Sequence, residues 1–352
     1  MRIRLFIFCF FVSASFLYAQ KKAWDSTYYR KYKDRLIISY FQSYKNYSID
    51  ISQKLTKDSL GLSKINNIAE SNLVSGFEIN YDKFNISVGF RSPSNQSVSA
   101  KKGFTKYRNF ALNIGGNRWL VENSYRSYSG FYNKNTPNYD TTFKRTGIYD
   151  QFPHLVSESY KTKFLFFTNA NKFSFKSGYS CSHRQLKSAF SFVLSANIYY
   201  NRLNSDSSFF PLQTRDYFDT HRSLNGINVF AFSVYGGGSF NLVLWKAFFM
   251  NITFIIGPEE QWRTYRYLDT YPTQTLFYTS ISGDLRGSIG LNFKKFFILL
   301  TGTSDFSYYS ASQITFLSKY GSVNFSLGYR FKTKPIKAYQ KFQQSKWYKR
   351  LG

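Results

Sequence analysis

Three histidines, His154, His183 and His221, are the imidazoles available to a nucleophilic hydrolase. Such an enzyme needs a serine or similar group within hydrogen-bond reach of one of them, and a third group to orient the ring. His154 follows Pro153, His183 lies between Ser182 and Arg184, and His221 comes two residues after Asp219. Serine is so abundant in this chain that a serine close to each histidine selects none of them, and no catalytic set is assigned. Glu259-Glu260 is a paired carboxylate in what reads as the long connection 258–278, but adjacent side chains of an extended chain point apart, which favours a solvated loop over a cation site. Gly236-Gly237-Gly238 lacks the lysine and the helix of a phosphate cradle. Within a strand pattern it predicts a bend or a bulge. No metal spacing and no cofactor motif is present.

Ionisable residues set inside alternating apolar patterns have the better claim: Glu78, Arg91, Asp284, Arg286, Asp305 and Arg330. Around 281–302, Ile281, Leu285, Ile289, Leu291 and Phe293 share one parity, while Ser282, Asp284, Arg286, Ser288 and Asn292 share the other. A period of two is the mark of a strand with unlike faces. If the apolar face meets lipid, the charged face must point into a lumen, because arginine placed toward lipid at mid-depth costs about 2–4 kcal/mol. Groups so placed either pair across the lumen and fill it or form a charge ring that selects solutes.

The elements that would hold them recur along the chain. Phe77, Ile79 and Tyr81 turn at Asp82-Lys83 into Phe84, Ile86, Val88 and Phe90, and comparable hairpins turn at 115–118, at Trp245-Lys246 and at Lys294-Lys295. The tight turns pair a basic residue with Phe or Trp, whereas 92–104, 130–158, 201–225 and 258–278 are long. Short turns on one rim, long loops on the other and aromatics at the interfaces describe a transmembrane barrel. The 69 Tyr and Phe residues, together with a mean hydropathy of −0.36, fit strands that are half polar and half aromatic or aliphatic. No later stretch approaches the roughly 18 uninterrupted apolar residues of a membrane helix.

At the amino terminus, Arg2 and Arg4 precede an apolar run closed by Ala19, the pattern of a secretory signal peptide, although Leu17 stands where a small residue is usual. Beyond it Cys181 is the only cysteine, so no internal disulfide is expected. The formal charge of +28 would point to nucleic acid in a cytosolic chain. With an export signal and no nucleic-acid motif, the complements become outer-membrane lipid and anionic head groups, surface polysaccharide or anionic solutes. Residues 332–352 carry seven basic residues and no acid. They read as a solvated tail or as a lipid contact made by Lys337, Lys341, Phe342 and Trp347.

The segments AWDSTYYRKYKDRLIISYFQS, SGFEINYDKFNISVGFRSP, TKYRNFALNIGGNRWLVENSYRSYSGFY and KFSFKSGYSCSHRQLKSAFSFVLSANIYYN resemble one family of bacterial proteins, a domain of unknown function whose members are expected to form outer-membrane barrels. Its most specific piece is Arg184-Gln185-Leu186-Lys187-Ser188 following Lys172-Phe173-Ser174. The resemblance implies a fold and a location in the bacterial outer membrane, and carries no functional residue with it.

The expectation is an all-β fold: a transmembrane antiparallel barrel of about twelve strands after a signal peptide. Its divisions are 1–19 signal peptide, 20–35 periplasmic segment, 36–331 barrel and 332–352 basic tail. Twelve strands require 172–200 to be one long bent strand; fourteen require another strand within 206–220, a stretch that alternates poorly and contains Pro211. Three roles follow from this fold. One is a passive pore or a structural surface protein, the second an enzyme acting on lipid or surface glycan at the rim, and the third a non-conducting binding or assembly module.

Overall fold

Strands that are apolar on one face and polar on the other over more than a dozen residues need two different solvents, and closing the sheet supplies both while removing its edges. In a computed structural model, residues 24–32, 34–53, 61–70, 73–92, 96–269, 272–308, 314–334, 337–346 and 348 are described. The signal-peptide residues and Trp347 lie outside them. The strands are β1 Tyr29–Lys31, β2 Arg35–Gln53, β3 Lys64–Ala69, β4 Val74–Tyr81, β5 Phe84–Arg91, β6 Lys106–Gly115, β7 Trp119–Asn133, β8 Gln151–Phe167, β9 His183–Gln185, β10 Ala189–Asn204, β11 Leu224–Leu244, β12 Phe248–Tyr267, β13 Gln274–Asn292, β14 Phe296–Tyr308 and β15 Ile314–Lys332.

Thirteen of these strands form one antiparallel sheet. β3 and β4 lie end to end along β2, which leaves twelve positions in the wall. β2 closes the barrel against β15 along its whole length, from Arg35↔Lys332 to Gln53↔Ile314. Both ends of the wall and the turns at 82–83, 116–118, 245–247 and 293–295 share one rim, called basal here; the described residues 61–63, 96–105, 134–150, 205–223, 268–269 and 272–273 share the other, the outer rim. Trp245 and Lys246, at φ 50° and 56°, form the paired left-handed turn that the right-handed twist of a hairpin favours. Trp245 itself is 86% exposed at that rim.

The wall narrows toward the outer rim. β5 and β6 are short, and above them β3 pairs directly with β7 through Asn67↔Asn133 and Ile68↔Tyr132. The register of β7 on β8 shifts between Ser129 and Phe131, where Gly130 has φ 91° and any Cβ would collide with Phe104 O.

Burial is inverted relative to a water-soluble protein. Phe190, Phe192, Leu194 and Ile198 on β10, Met250, Ile252 and Phe254 on β12, and Phe325, Leu327 and Tyr329 on β15 are exposed. Between them Ser191, Ser195, Asn197, Asn251, Thr253 and Ser326 are buried. About ten residues per strand carry this outward apolar face, and at ~3.3 Å per residue and ~45° tilt they span the roughly 25 Å of a lipid-facing belt. Water does not tolerate so large a continuous apolar surface, and hydrocarbon does.

Three sequence expectations change. Residues 172–200 are not one bent strand: 168–188 is a basal connection folded into the lumen, holding a short helix, Phe175–Tyr179, and β9. Glu259 and Glu260 lie in β12 rather than in a loop, Glu259 buried inside and Glu260 on the outer face with Thr279 Oγ1 donating to it at 2.8 Å. The glycine run keeps one register on β12 without a bulge; Gly237 is needed because a Cβ there would collide with Phe254 O. The stretch 206–220 contains no strand, in keeping with its poor alternation.

Candidate functional site

The basal mouth is filled by the chain itself. Residues 24–32, expected in the periplasm, pack inside it with 168–188, and β1 pairs with β9 through Tyr29↔Gln185 and Lys31↔His183. Phe173 and Phe175 are buried against Phe167, at 5.8 and 5.0 Å between ring centres. Carbonyl groups of this plug need donors, and the wall supplies them. Asn117 Nδ2 donates to Ala170 O at 2.7 Å and Phe173 O at 2.5 Å, Asn241 Nδ2 to Ser174 O at 2.9 Å, and Asn292 Nδ2 to His183 O at 3.2 Å. Arg330, 1% exposed, donates from Nε and Nη2 to Cys181 O at 3.1 and 2.5 Å, from Nη1 to Phe293 O at 2.6 Å and from Nη2 to Asn292 Oδ1 at 2.6 Å. Its guanidinium also lies over the ring of Tyr32 at 4.4 Å. Within the plug, Gln185 accepts from Ser174 N at 3.0 Å and donates to Lys172 O at 2.7 Å. The segment that carries the family resemblance is thus the one that ties the plug to itself and to the wall.

Two groups in the plug bear on chemistry. Ser174 Oγ and His183 Nδ1 are 2.7 Å apart, with the His183 ring stacked on Tyr29 at 5.6 Å, but Ser174 is fully buried and offers a substrate no approach. Burial pushes the Cys181 thiol up to about 12, which leaves no thiolate for reaction.

The outer mouth is closed by apolar packing. Loop 205–223 turns Phe209, Phe210 and Phe218 inward, each fully buried, and the last two stack at 3.8 Å. They join Tyr47, Tyr128, Phe131, Ile227, Tyr265 and Phe316 from the wall. Of the other histidines, His154 is exposed on the outer rim 3.9 Å from Asp206, and His221 shares a 2.9 Å hydrogen bond with Tyr267 Oη. Burial lowers the His221 pKa, with the charge of Asp219 opposing. The three histidines therefore occupy three separate places.

Between plug and cap lies a polar cavity of about 280 Å³. Its ion pairs reach across the lumen and tie β7 and β8 to β13 and β14. Arg286 donates from Nη1 and Nη2 to the two carboxylate oxygens of Glu122, each at 2.8 Å, and to Asp284 Oδ2 at 2.8 Å. Lys163 completes that chain on Asp284, while Lys161 meets Asp305 Oδ2 at 3.0 Å and Arg126 stands 3.9 Å from it. Asp284, Arg286 and Asp305 are so brought together. Glu78 borders the same cavity and accepts from Asn80 Nδ2 at 2.8 Å and from Asn85 Nδ2. Arg330 sits lower, in the plug. Arg91 sits at the outer end of β5, where Nη1 donates to Thr105 O and the guanidinium covers the Phe104 ring at 4.2 Å, pinning residues 104–105.

Sequence reasoning passed over Lys45, Glu122, Arg126, Lys161 and Lys163. Their signal was present: Glu122 and Arg126 share a parity with Ser124, and Lys161 and Lys163 alternate with Tyr160 and Thr162 just before an apolar run. Residues 337–346 and 348 of the tail pack against the basal rim. Helix Lys337–Gln344 sets Tyr339 on Tyr81 at 5.0 Å and Phe342 on Phe84 at 6.3 Å. Tyr339 Oη donates to Asp82 Oδ2 at 2.9 Å, Tyr348 Oη reaches the same oxygen, and Lys83 Nζ donates to Tyr348 O at 2.8 Å. Lys337 and Lys341 stay exposed.

No curated protein matches the chain. Among solved structures, the outer membrane protease OmpT from Escherichia coli is 8% identical over 85% of this chain and 97% of its own, with a TM-score of 0.41. Ail, the attachment invasion locus protein of Yersinia pestis, is 10% identical over 85% and 100%, with a TM-score of 0.22. The toluene transporter TodX of P. putida is 6% identical over 87% and 92%, with a TM-score of 0.27. At such identities and scores no role passes from these proteins to this one. The match that does define it runs through the plug and the whole wall: over residues 23–331 the chain fits one family model, and it belongs to the family described as Domain of unknown function (DUF4421).

Proposed function

We propose that this chain is exported to the bacterial outer membrane and serves there as a non-conducting binding or assembly module, with its lumen shut at rest and its rims presented to partners. The observation that carries this reading is the double closure. A passive pore needs a continuous wet path, and this lumen holds a hydrogen-bonded plug at one end, an apolar cap at the other and a cross-braced set of ion pairs between them. Placement in the outer membrane is supported by the apolar belt, the aromatic basal turns and the signal-like start of the sequence. The basal face, with its docked basic helix and exposed Lys337 and Lys341, suits anionic head groups or an acidic partner in the periplasm. An enzyme reading finds less support, because the one close serine–histidine pair among the described residues is sealed inside the plug.

The test is liposome swelling. Vesicles that hold the folded protein should exclude small sugars as well as protein-free vesicles do; swelling at the rate given by an open porin would overturn the reading.

A further inference from the structure

The lumenal cavity carries more positive charge than its carboxylates balance. Lys45, Arg126, Lys161, Lys163, Lys176 and Arg286 border it. The carboxylates are committed elsewhere: Glu122 and Asp284 to Arg286 and Lys163, Asp305 to Lys161, and Glu78 to the amides of Asn80 and Asn85. Lys45 is 5% exposed, and its Nζ donates to a neutral group, Tyr107 Oη, at 2.6 Å. Arg126 is held over the Tyr320 ring at 3.7 Å and shares the single carboxylate of Asp305 with Lys161, at 3.9 Å against 3.0 Å, so one acid there faces two cations. Ser43 Oγ, buried two residues from Lys45 on the same face of β2, has no hydrogen-bond partner among the described residues.

Burying a cation against neutral partners costs free energy that a counter-ion would recover, and a buried donor without an acceptor adds to the cost. A guanidinium beside an ammonium and phenolic hydroxyls is the donor set that recognises a tetrahedral oxyanion, the guanidinium supplying a planar fork and the ammonium a point charge. We propose that the end of the cavity bounded by Lys45, Arg126 and Tyr320 is a binding site for a phosphate-sized oxyanion. The volume, about 280 Å³, is several times the roughly 30 Å³ of one water in the liquid, so the ion enters with part of its hydration. The site stands apart from conductance: phosphate binding can fail in a silent barrel and succeed in a conducting one.

Full-length protein is folded in detergent in graded concentrations of potassium phosphate, so that the ion is present before the lumen closes, with potassium chloride at matched ionic strength as control. Calorimetry and thermal unfolding are read together. Phosphate should bind saturably, one per chain, and raise Tm, while chloride does neither. Lys45→Met should weaken phosphate binding about tenfold, and Arg126→Lys, which keeps the charge but loses the fork, should weaken it severalfold. Should Lys45→Met fail to fold, Arg126→Lys decides alone. Equal effects of phosphate and chloride, wild-type affinity in the folded variants, or an equal affinity for acetate would each overturn the assignment.

Discussion

Arg330→Met tests the plug most sharply, since methionine keeps much of the apolar stem and deletes every donor. Three acceptors lose their partner: Cys181 O, Phe293 O and Asn292 Oδ1. An acceptor left buried and unsatisfied costs about 1–3 kcal/mol. Two effects reduce the sum. Water can enter from the basal side, and a guanidinium no longer has to be desolvated. Only Cys181 O of these three belongs to the plug, the other two being wall groups, so a net loss of about 1–2 kcal/mol falls on the plug, which raises its opening equilibrium roughly 5- to 30-fold at a factor of ten per 1.4 kcal/mol. The wall is held by its own ladder and keeps its stability, so the change is local unfolding rather than global. Hydrogen exchange read by mass spectrometry should show amides within 173–186 exchanging faster by that factor, with β10 to β13 unchanged. Exchange in 173–186 within threefold of wild type would refute the role given to Arg330. Equal acceleration throughout the barrel would refute the independence of plug and wall.

Asp284→Asn strips Lys163 and Arg286 of a shared buried carboxylate, and breaking such a pair from one side costs about 3–5 kcal/mol; the urea midpoint should fall, and Lys163→Met added to it should restore part of the loss. The His221 ring has a folded-state pKa below its unfolded value near 6.5 because burial disfavours the imidazolium. Its contribution to the outer loop is therefore present above that pH and lost as pH falls below it. Limited proteolysis of 205–223 should accelerate between pH 7.5 and pH 5, and a His221→Gln variant should show a flatter profile. Asp82→Asn weakens the acceptor shared by Tyr339 and Tyr348, so trypsin should release the tail several times faster while the barrel keeps its heat-modifiable mobility on gels; unchanged release would show that the ring contacts alone hold the helix.

Much of the wall could be read from the sequence because a strand's period is local. Leu285 and Ile289 against Asp284 and Arg286 declare an outside and an inside with no knowledge of the neighbours, and one-sided short turns then imply closure. The plug escaped that reading because Phe173 and Phe175 alternate with Ser174 and Lys176 just as a strand would. What turns the segment into a helix and a short strand is a set of tertiary partners, Asn117, Asn241 and Arg330 among them, each far away in sequence. The cap is similar. Phe209-Phe210-Pro211 shows no alternation and forms no strand, yet only closure of the barrel puts those rings over the lumen. The charge network was half legible: Asp284, Arg286 and Asp305 were visible by parity, but Lys163 is 121 residues from Asp284, and the two meet across the lumen rather than along a ladder. Pairing of that kind depends on the barrel's circumference, which no local pattern records.

The claim at the centre is that residues 24–32 and 168–188 shut a barrel that would otherwise be wet through its basal half. Single-channel recording in a planar bilayer addresses it directly, with intact protein compared with a variant in which 172–186 and the outer cap 206–220 are each replaced by a short turn. The expected result is silence from the intact protein and discrete steps or frequent flicker from the variant. Stable, large conductance from the intact protein would contradict the closed lumen.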